Sequence, residues 1–237
     1  MMSRIIAVHQ PNYIPYPGFF YKMLKADVFV LLDNVQFSRM SFTHRNRIKG
    51  SQGKAIWLTV PVYKKGKFYQ KINEVKINRT VKWQIKHFRT LLMNYANSPF
   101  FHYYEEQLRA IYSKEWESLI DLNVAFLKFV MDKLKMKTKI CTASEMKIVG
   151  KKTELLVSIV KELNGDTYLS GAGGKNYIDE EKFKKEGISI RYYQYGSFVY
   201  PQLWGKFIPN LSILDLLFNC GTESRNMIEN KWGYEKP

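Results

Sequence analysis

The chain has 237 residues, with 37 Lys and Arg against 21 Asp and Glu, and 46% of it is hydrophobic. That length suits a single α/β domain, and the apolar fraction excludes a disordered tail and the need for a disulfide or metal staple. Cys141 and Cys220 are far apart and neither belongs to a CxxC pair, which excludes a four-cysteine zinc site and predicts a reduced, cytoplasmic setting.

Ile5–Val8 is a short, continuous apolar run, as expected for a strand buried on both faces. It leads into a polar, proline-rich stretch, residues 9–18. Pro17 opens a short helix, because its missing N–H would be unpaired there anyway. Val28–Leu32 reads as a second buried strand ending at Asp33. Strand, turn, helix and strand in this order predict a βαβ unit and a parallel sheet with a right-handed crossover. Residues 34–54 are polar, basic and without period, so they read as a long loop after a strand, where α/β folds place function. Ala55–Val62 is expected to be another strand, and Ile72–Asn78 its hairpin partner across a basic turn at residues 64–67.

Residues 80–134 change to helical period: Trp83, His87, Leu91 and Tyr95 recur at four-residue spacing. They predict a helical insert of three helices. From residue 138 the pattern alternates β, α, β, α, β as far as residue 192, which continues the parallel sheet. Thr153 is the expected cap of the helix before Leu163. A last helix covers about residues 212–219, and residues 222–237 read as a surface tail. The expectation is one α/β domain over residues 1–221, with a mainly parallel, Rossmann-like sheet and a helical insert. No stretch reaches the length of about 18 apolar residues that a spanning helix needs, and the early run at residues 5–21 holds His9, Gln10, Asn12 and three prolines.

In an open parallel sheet, ligands bind outside the carboxyl ends of the strands. Three polar segments fall there: residues 9–18, 33–49 and 170–177. His9 can act as acid, base or donor to a phosphate oxygen, or be a structural histidine bonded to backbone. Asp33 ends a buried strand as either a functional carboxylate or a turn cap. Arg45-Asn46-Arg47 offers two guanidinium forks suited to phosphate or carboxylate, or a solvated basic loop. His44 beside them reads as a surface residue. Gly171, Gly173 and Lys175 belong to a glycine-rich turn that either cradles a phosphate or simply connects. It is not a Walker A sequence, since Gly171 and Gly174 are too close together and Asn176 stands where Ser or Thr is required. Residues 200–210, with Gln202, are too irregular for core and too aromatic for solvent, as in a pocket wall. Four scattered histidines give no metal motif, and no metal site is expected.

Several segments together resemble the WbqC-like family: His9 to Pro15 with Gly18 and Lys22; Ala26-Asp27 and Val30 to Phe37 with Asp33 and Gln36; Asn46-Arg47; Trp57 to Pro61; Tyr168 to Gly171 with Tyr177; and Gln202 with Leu211 to Asn219. The match runs in order along nearly the whole chain. It implies surface-polysaccharide (O-antigen) chemistry, with glycine transfer a suggested role, and it brings no catalytic residues with it. The first strand, its histidine turn and Val35-Gln36-Phe37 also look like the start of nucleotidyltransferase-superfamily proteins. Those hold ATP phosphates on an H-x-G-H turn. Here His9 matches the first histidine, while Pro11 and Asn12 replace the glycine and the second histidine.

The expected function is therefore a transferase or ligase that forms an amide on a nucleotide-linked sugar. His9, Asp33 and Arg47 would be catalytic. Gln10, Tyr13, Gln36, Arg45, Asn46, Gly171, Gly173, Lys175, Tyr177 and Gln202 would bind substrate. Activating a free carboxylate would call for ATP with magnesium; a thioester or aminoacyl-tRNA donor would not. The alternatives are a non-catalytic scaffold protein of the pathway and a nucleic-acid-binding module, which the net charge and interleaved Tyr and Phe permit. Against the second, no RNA- or DNA-binding signature appears and the basic residues look spread along the chain, so a nucleic-acid partner is the less expected of the two.

Overall fold

The computed structural model describes residues 3–193, 196 and 198–231. Its centre is β1 (Ile5–His9), where Ile6 and Ala7 are fully buried. Helix α1 (Pro17–Leu24) starts with proline at its first turn and returns the chain to β2 (Val28–Leu31), which lies parallel to β1. The expected βαβ unit is present.

Further on, α2 (Trp83–Tyr95), α3 (Phe101–Ser113) and α4 (Leu119–Lys133) form the helical insert. Strand β5 (Lys139–Thr142) then joins the free edge of β2. Helix α5 (Thr153–Glu162) carries the chain across to β6 (Thr167–Gly171), on the other side of β1. Helix α6 (Glu180–Lys185) leads to β7 (Ser189–Tyr193), the second edge. The sheet order is β5-β2-β1-β6-β7, all parallel.

Side chains alternate along β1 and feed two cores. Ala7, with Phe19, Phe29 and Leu169, packs toward α1 and the helical insert. Ile6 and Val8, with Val28, Val30 and Tyr168, pack toward α5 and α6. Helices on both faces bury the central strands β1, β2 and β6, which is why β1 and β2 are continuous apolar runs, whereas the edge strands β5 and β7 carry exposed Lys139, Ser189 and Arg191.

The segment after β2 departs from expectation. Residues 34–54 are not all loop: β3 (Arg45–Lys49) pairs antiparallel with β4 (Ala55–Thr59). Ile72–Glu74 is a 3-10 turn, and only an isolated bridge between Val62 and Ile77 remains of the expected hairpin. The strand was hidden because its outward positions are Arg45 and Arg47 and one inward position is polar. Asn46 is 1% exposed, yet its side-chain amide donates to the carbonyls of Tyr13 and Ile14. His44, expected at the surface, is buried with its ring on Phe37.

Helix α7 (Ile213–Cys220) is capped by Ser212, whose hydroxyl accepts from Leu214 N. Within the stretch read as a surface tail, Glu223–Lys231 form α8, with Ile228 fully buried. Residues 232–237 of that stretch lie outside the described residues. Lys152, not Thr153, precedes α5 as its cap residue; the Thr153 hydroxyl accepts from Asp179 N instead.

Candidate functional site

The chain leaves β1 toward β2 on one side and leaves β6 toward β7 on the other. Where the two directions diverge, an open α/β sheet forms a crevice at its carboxyl edge. A cavity of about 560 Å³ lies there, lined by the ends of β1, β6 and β7, by α1 and by the start of α5. The ladder shows how it opens. Pairing of β1 with β6 ends at Ala7 and Leu169. The next carbonyl, Val8 O, accepts from Lys22 Nζ at 2.7 Å. A buried carbonyl at the end of a ladder needs such a partner.

Lys22 is 4% exposed, lines the cavity and has no carboxylate partner among the described residues. Burial lowers its pKa to about 7. The ammonium is therefore partly neutral at physiological pH, where an ordinary lysine is fully charged. His9 also lines the cavity, and its ring meets Phe19 edge-on at 4.8 Å. Its Nδ1 lies 2.9 Å from Gln10 O. A carbonyl only accepts, so Nδ1 carries the proton and Nε2 keeps its lone pair. Burial, and then the Lys22 charge, lower the His9 pKa to about 4. The imidazole is neutral at pH 7.

Lys152 adds a second lysine to the lining, and among the described residues no Asp or Glu lines the cavity. The glycine turn forms one wall. A Cβ on Gly174 would come within 2.0 Å of Ser170 Oγ, whereas one on Gly173 would meet nothing within 4 Å. Gly174 is needed for close packing, and Gly173 leaves its wall open.

Of the expected site residues, His9, Gln10, Gly171, Gly173 and Tyr177 line this cavity. Lys175 lies beside it, with Nζ 5.1 Å above the Tyr192 ring. The others serve elsewhere. Asp33 is 1% exposed, and both its oxygens accept from Ser144, one from the backbone N–H and one from the hydroxyl. It caps the turn after β5 and is not in the lining of this cavity. Gln36 donates to Phe68 O. Tyr13 is buried, with its hydroxyl bonded to His87 and Tyr112. Gln202 holds its own loop, accepting from Lys49 Nζ and Ile208 N. Arg45 and Arg47 lie on the outer face of β3, against Trp57.

A larger groove of about 1000 Å³ runs over α2 and α3. Two of its arginines, Arg79 and Arg109, are already paired with Glu115 and Glu105. Its charge is thus partly satisfied, and the switch-point cavity remains the stronger candidate. Among the described residues, no group of three or more His, Cys, Asp or Glu could hold a metal ion. No helix among them is long and apolar enough to cross a membrane.

A model of the WbqC-like protein family matches residues 10–227. The chain belongs to the WbqC-like family. It is 36% identical over 221 residues to an uncharacterized protein of Mycobacterium tuberculosis, a match that covers 92% of this chain and 95% of that relative. No solved structure matches it. In this WbqC-like protein, reading the sequence for function passed over Lys22. Its signal was a lone lysine in Pro-Gly-Phe-Phe-Tyr-Lys-Met-Leu, a helix whose other side chains are nearly all apolar.

Proposed function

We propose that this WbqC-like protein is a transferase that joins a small acyl group, such as glycyl, to an amino group on a nucleotide-linked sugar used in surface-polysaccharide synthesis. The observation that carries this reading is the switch-point cavity, with Lys22, Lys152 and a neutral His9 in its lining and no carboxylate. Two ammonium groups and the absence of acids suit a ligand that bears phosphate. The buried Lys22 contributes most, because its charge is little screened.

Amide formation needs a neutral attacking amine. As its nitrogen bonds to the acyl carbon, the nitrogen sheds a proton and the leaving group departs with the old bonding pair. His9 Nε2, held unprotonated by the Nδ1 bond to Gln10 O, accepts that proton. Lys22 and Lys152 hold the phosphate and so orient the sugar. Tyr177 at the rim is 67% exposed, free to pack on a sugar or base.

The test offers the protein nucleotide-linked amino sugars with three donors: glycine plus ATP and magnesium, a glycyl thioester, and glycyl-tRNA. Mass spectrometry reads the product. Expected are a glycylated sugar with one donor and a raised melting temperature with the nucleotide-sugar alone. No product with any donor and no thermal shift with any nucleotide-sugar would overturn the proposal.

A further inference from the structure

The basic residues look dispersed along the chain, but one segment holds far more than its share. Between Asp33 and Glu74 there are nine Lys and Arg and no Asp or Glu. No salt bridge among the described residues involves this segment; all lie outside it. Apart from Lys49, which is buried and feels the Asp215 charge, these cations have no carboxylate partner among the described residues.

Strands β3 and β4 arrange part of that charge on a rigid face. Alternation turns Ile48 and Leu58 inward, where both are buried. It turns Arg45, Arg47 and Trp57 outward, with Arg47 directly opposite Trp57. The Arg45 guanidinium lies 4.4 Å and that of Arg47 5.8 Å from the centre of the Trp57 ring. Trp57 is still 44% exposed, and the Phe42 ring lies 5.9 Å from it. Arg39 repeats the pattern at 4.9 Å over Phe68, beside the turn that carries Lys64, Lys65 and Lys67. Phe68 and Tyr69 are 65% and 85% exposed.

We propose that the outer face of β3 and β4, with the turn at residues 64–69, is a docking surface for single-stranded nucleic acid. Phosphates would meet the arginines and lysines, and unpaired bases would stack on Trp57, Phe42 and Phe68. Guanidinium groups over the rings place cations beside the stacking surface. The exposed apolar groups are mostly aromatic rings, and no leucine is exposed on this face. Nucleobases present π-faces that stack on such rings, and a polyphosphate backbone matches the run of cations beside them. The surface is independent of the amide-forming reading, which rests on another set of residues.

The experiment measures fluorescence anisotropy of labelled oligouridylate and oligothymidylate, each about 12 nucleotides long, with the full chain. Binding to at least one is expected, weakening about tenfold or more between about 50 and 200 mM salt. A preference between the two identifies RNA or DNA as the source. Trp57→Ala should weaken binding by about tenfold without changing the salt slope, and Arg47→Ala should flatten that slope. Phe68→Ala, at a freely exposed position, carries the stacking test if Trp57→Ala does not fold. The proposal is overturned if neither oligonucleotide binds at low salt. It is equally overturned if both aromatic variants bind as the wild type does, or if only phosphatidylglycerol vesicles retain the protein.

Discussion

At the switch point, Lys22 is 4% exposed and burial brings its pKa to about 7. On the β3–β4 face, Arg45 and Arg47 lie over a tryptophan that is open to water. Both regions are cationic and both lack acids, but they hold charge by different physics. The buried lysine has lost its hydration, so its charge is conditional on pH and little screened by salt. A guanidinium stays charged at any accessible pH, and on a surface its reach is cut by salt. A buried, pH-dependent charge suits one specific anionic ligand, whereas exposed permanent charges suit a polyanion.

Breaking the cavity chemistry should have the largest effect. His9→Gln keeps a polar side chain of similar size but removes the base, and we expect the transfer rate to fall by about 10²–10⁴-fold with little change in melting temperature. Full activity in this variant would remove His9 from the mechanism.

Lys22→Met separates stability from binding. Phosphate-ligand affinity should fall by about tenfold or more at pH 6, the cost of losing one charge-assisted contact. Thermal stability at pH 6 should rise, because removing the desolvated ammonium outweighs the loss of about 1–3 kcal/mol when Val8 O is left without its donor; each kcal/mol gained is worth about 2–4 °C. The sign follows from linkage. The unfolded lysine titrates near its ordinary 10.5 and the folded one near 7. Between those values the unfolded chain binds more protons, so wild-type stability climbs with pH and the advantage of the variant shrinks and then reverses, because the neutral amine still donates to Val8 O and methionine cannot. Ligand affinity of the wild type runs the other way, falling as pH rises through 7 and Lys22 loses its proton. Melting curves and isothermal titration from pH 6 to 10 check both, and a flat affinity profile would contradict the role given to Lys22.

Asn46→Ala attacks the attachment of the hairpin, leaving the Tyr13 and Ile14 carbonyls and Arg47 N without their partner. About 1–3 kcal/mol of unfolding free energy should be lost, measurable by urea denaturation. The smallest effect sharpens the cavity wall. Gly173→Ala should leave the melting temperature within about 1–2 °C of wild type, and Gly174→Ala should lower it further, because only the second methyl collides with Ser170.

Much of the architecture was legible in the sequence. The continuous apolar runs at β1 and β2 marked strands buried on both faces, and the spacing of Trp83, His87, Leu91 and Tyr95 marked α2. Such patterns are local, since each residue declares its face by period alone. Strand β3 was not legible, because a β-strand with arginines outside and a hydrogen-bonded asparagine inside has no hydrophobic alternation to read.

The site divided along the same line. The sequence by itself determined that His9, Gln10 and the turn at Gly171 follow parallel strands, and strand direction then brings them to one rim. Only the tertiary structure decided which other polar groups join them. Asp33 ends a strand just as His9 does, but Ser144, brought alongside by β5 pairing with β2, bonds to each of its oxygens and holds it outside the lining of the cavity. Lys22 looks like an ordinary helix lysine until the β1–β6 ladder ends at Ala7 and leaves the Val8 carbonyl for it to bond. The pKa of a lysine and the availability of a carboxylate depend on what is packed around them, and those neighbours come from residues distant in the chain.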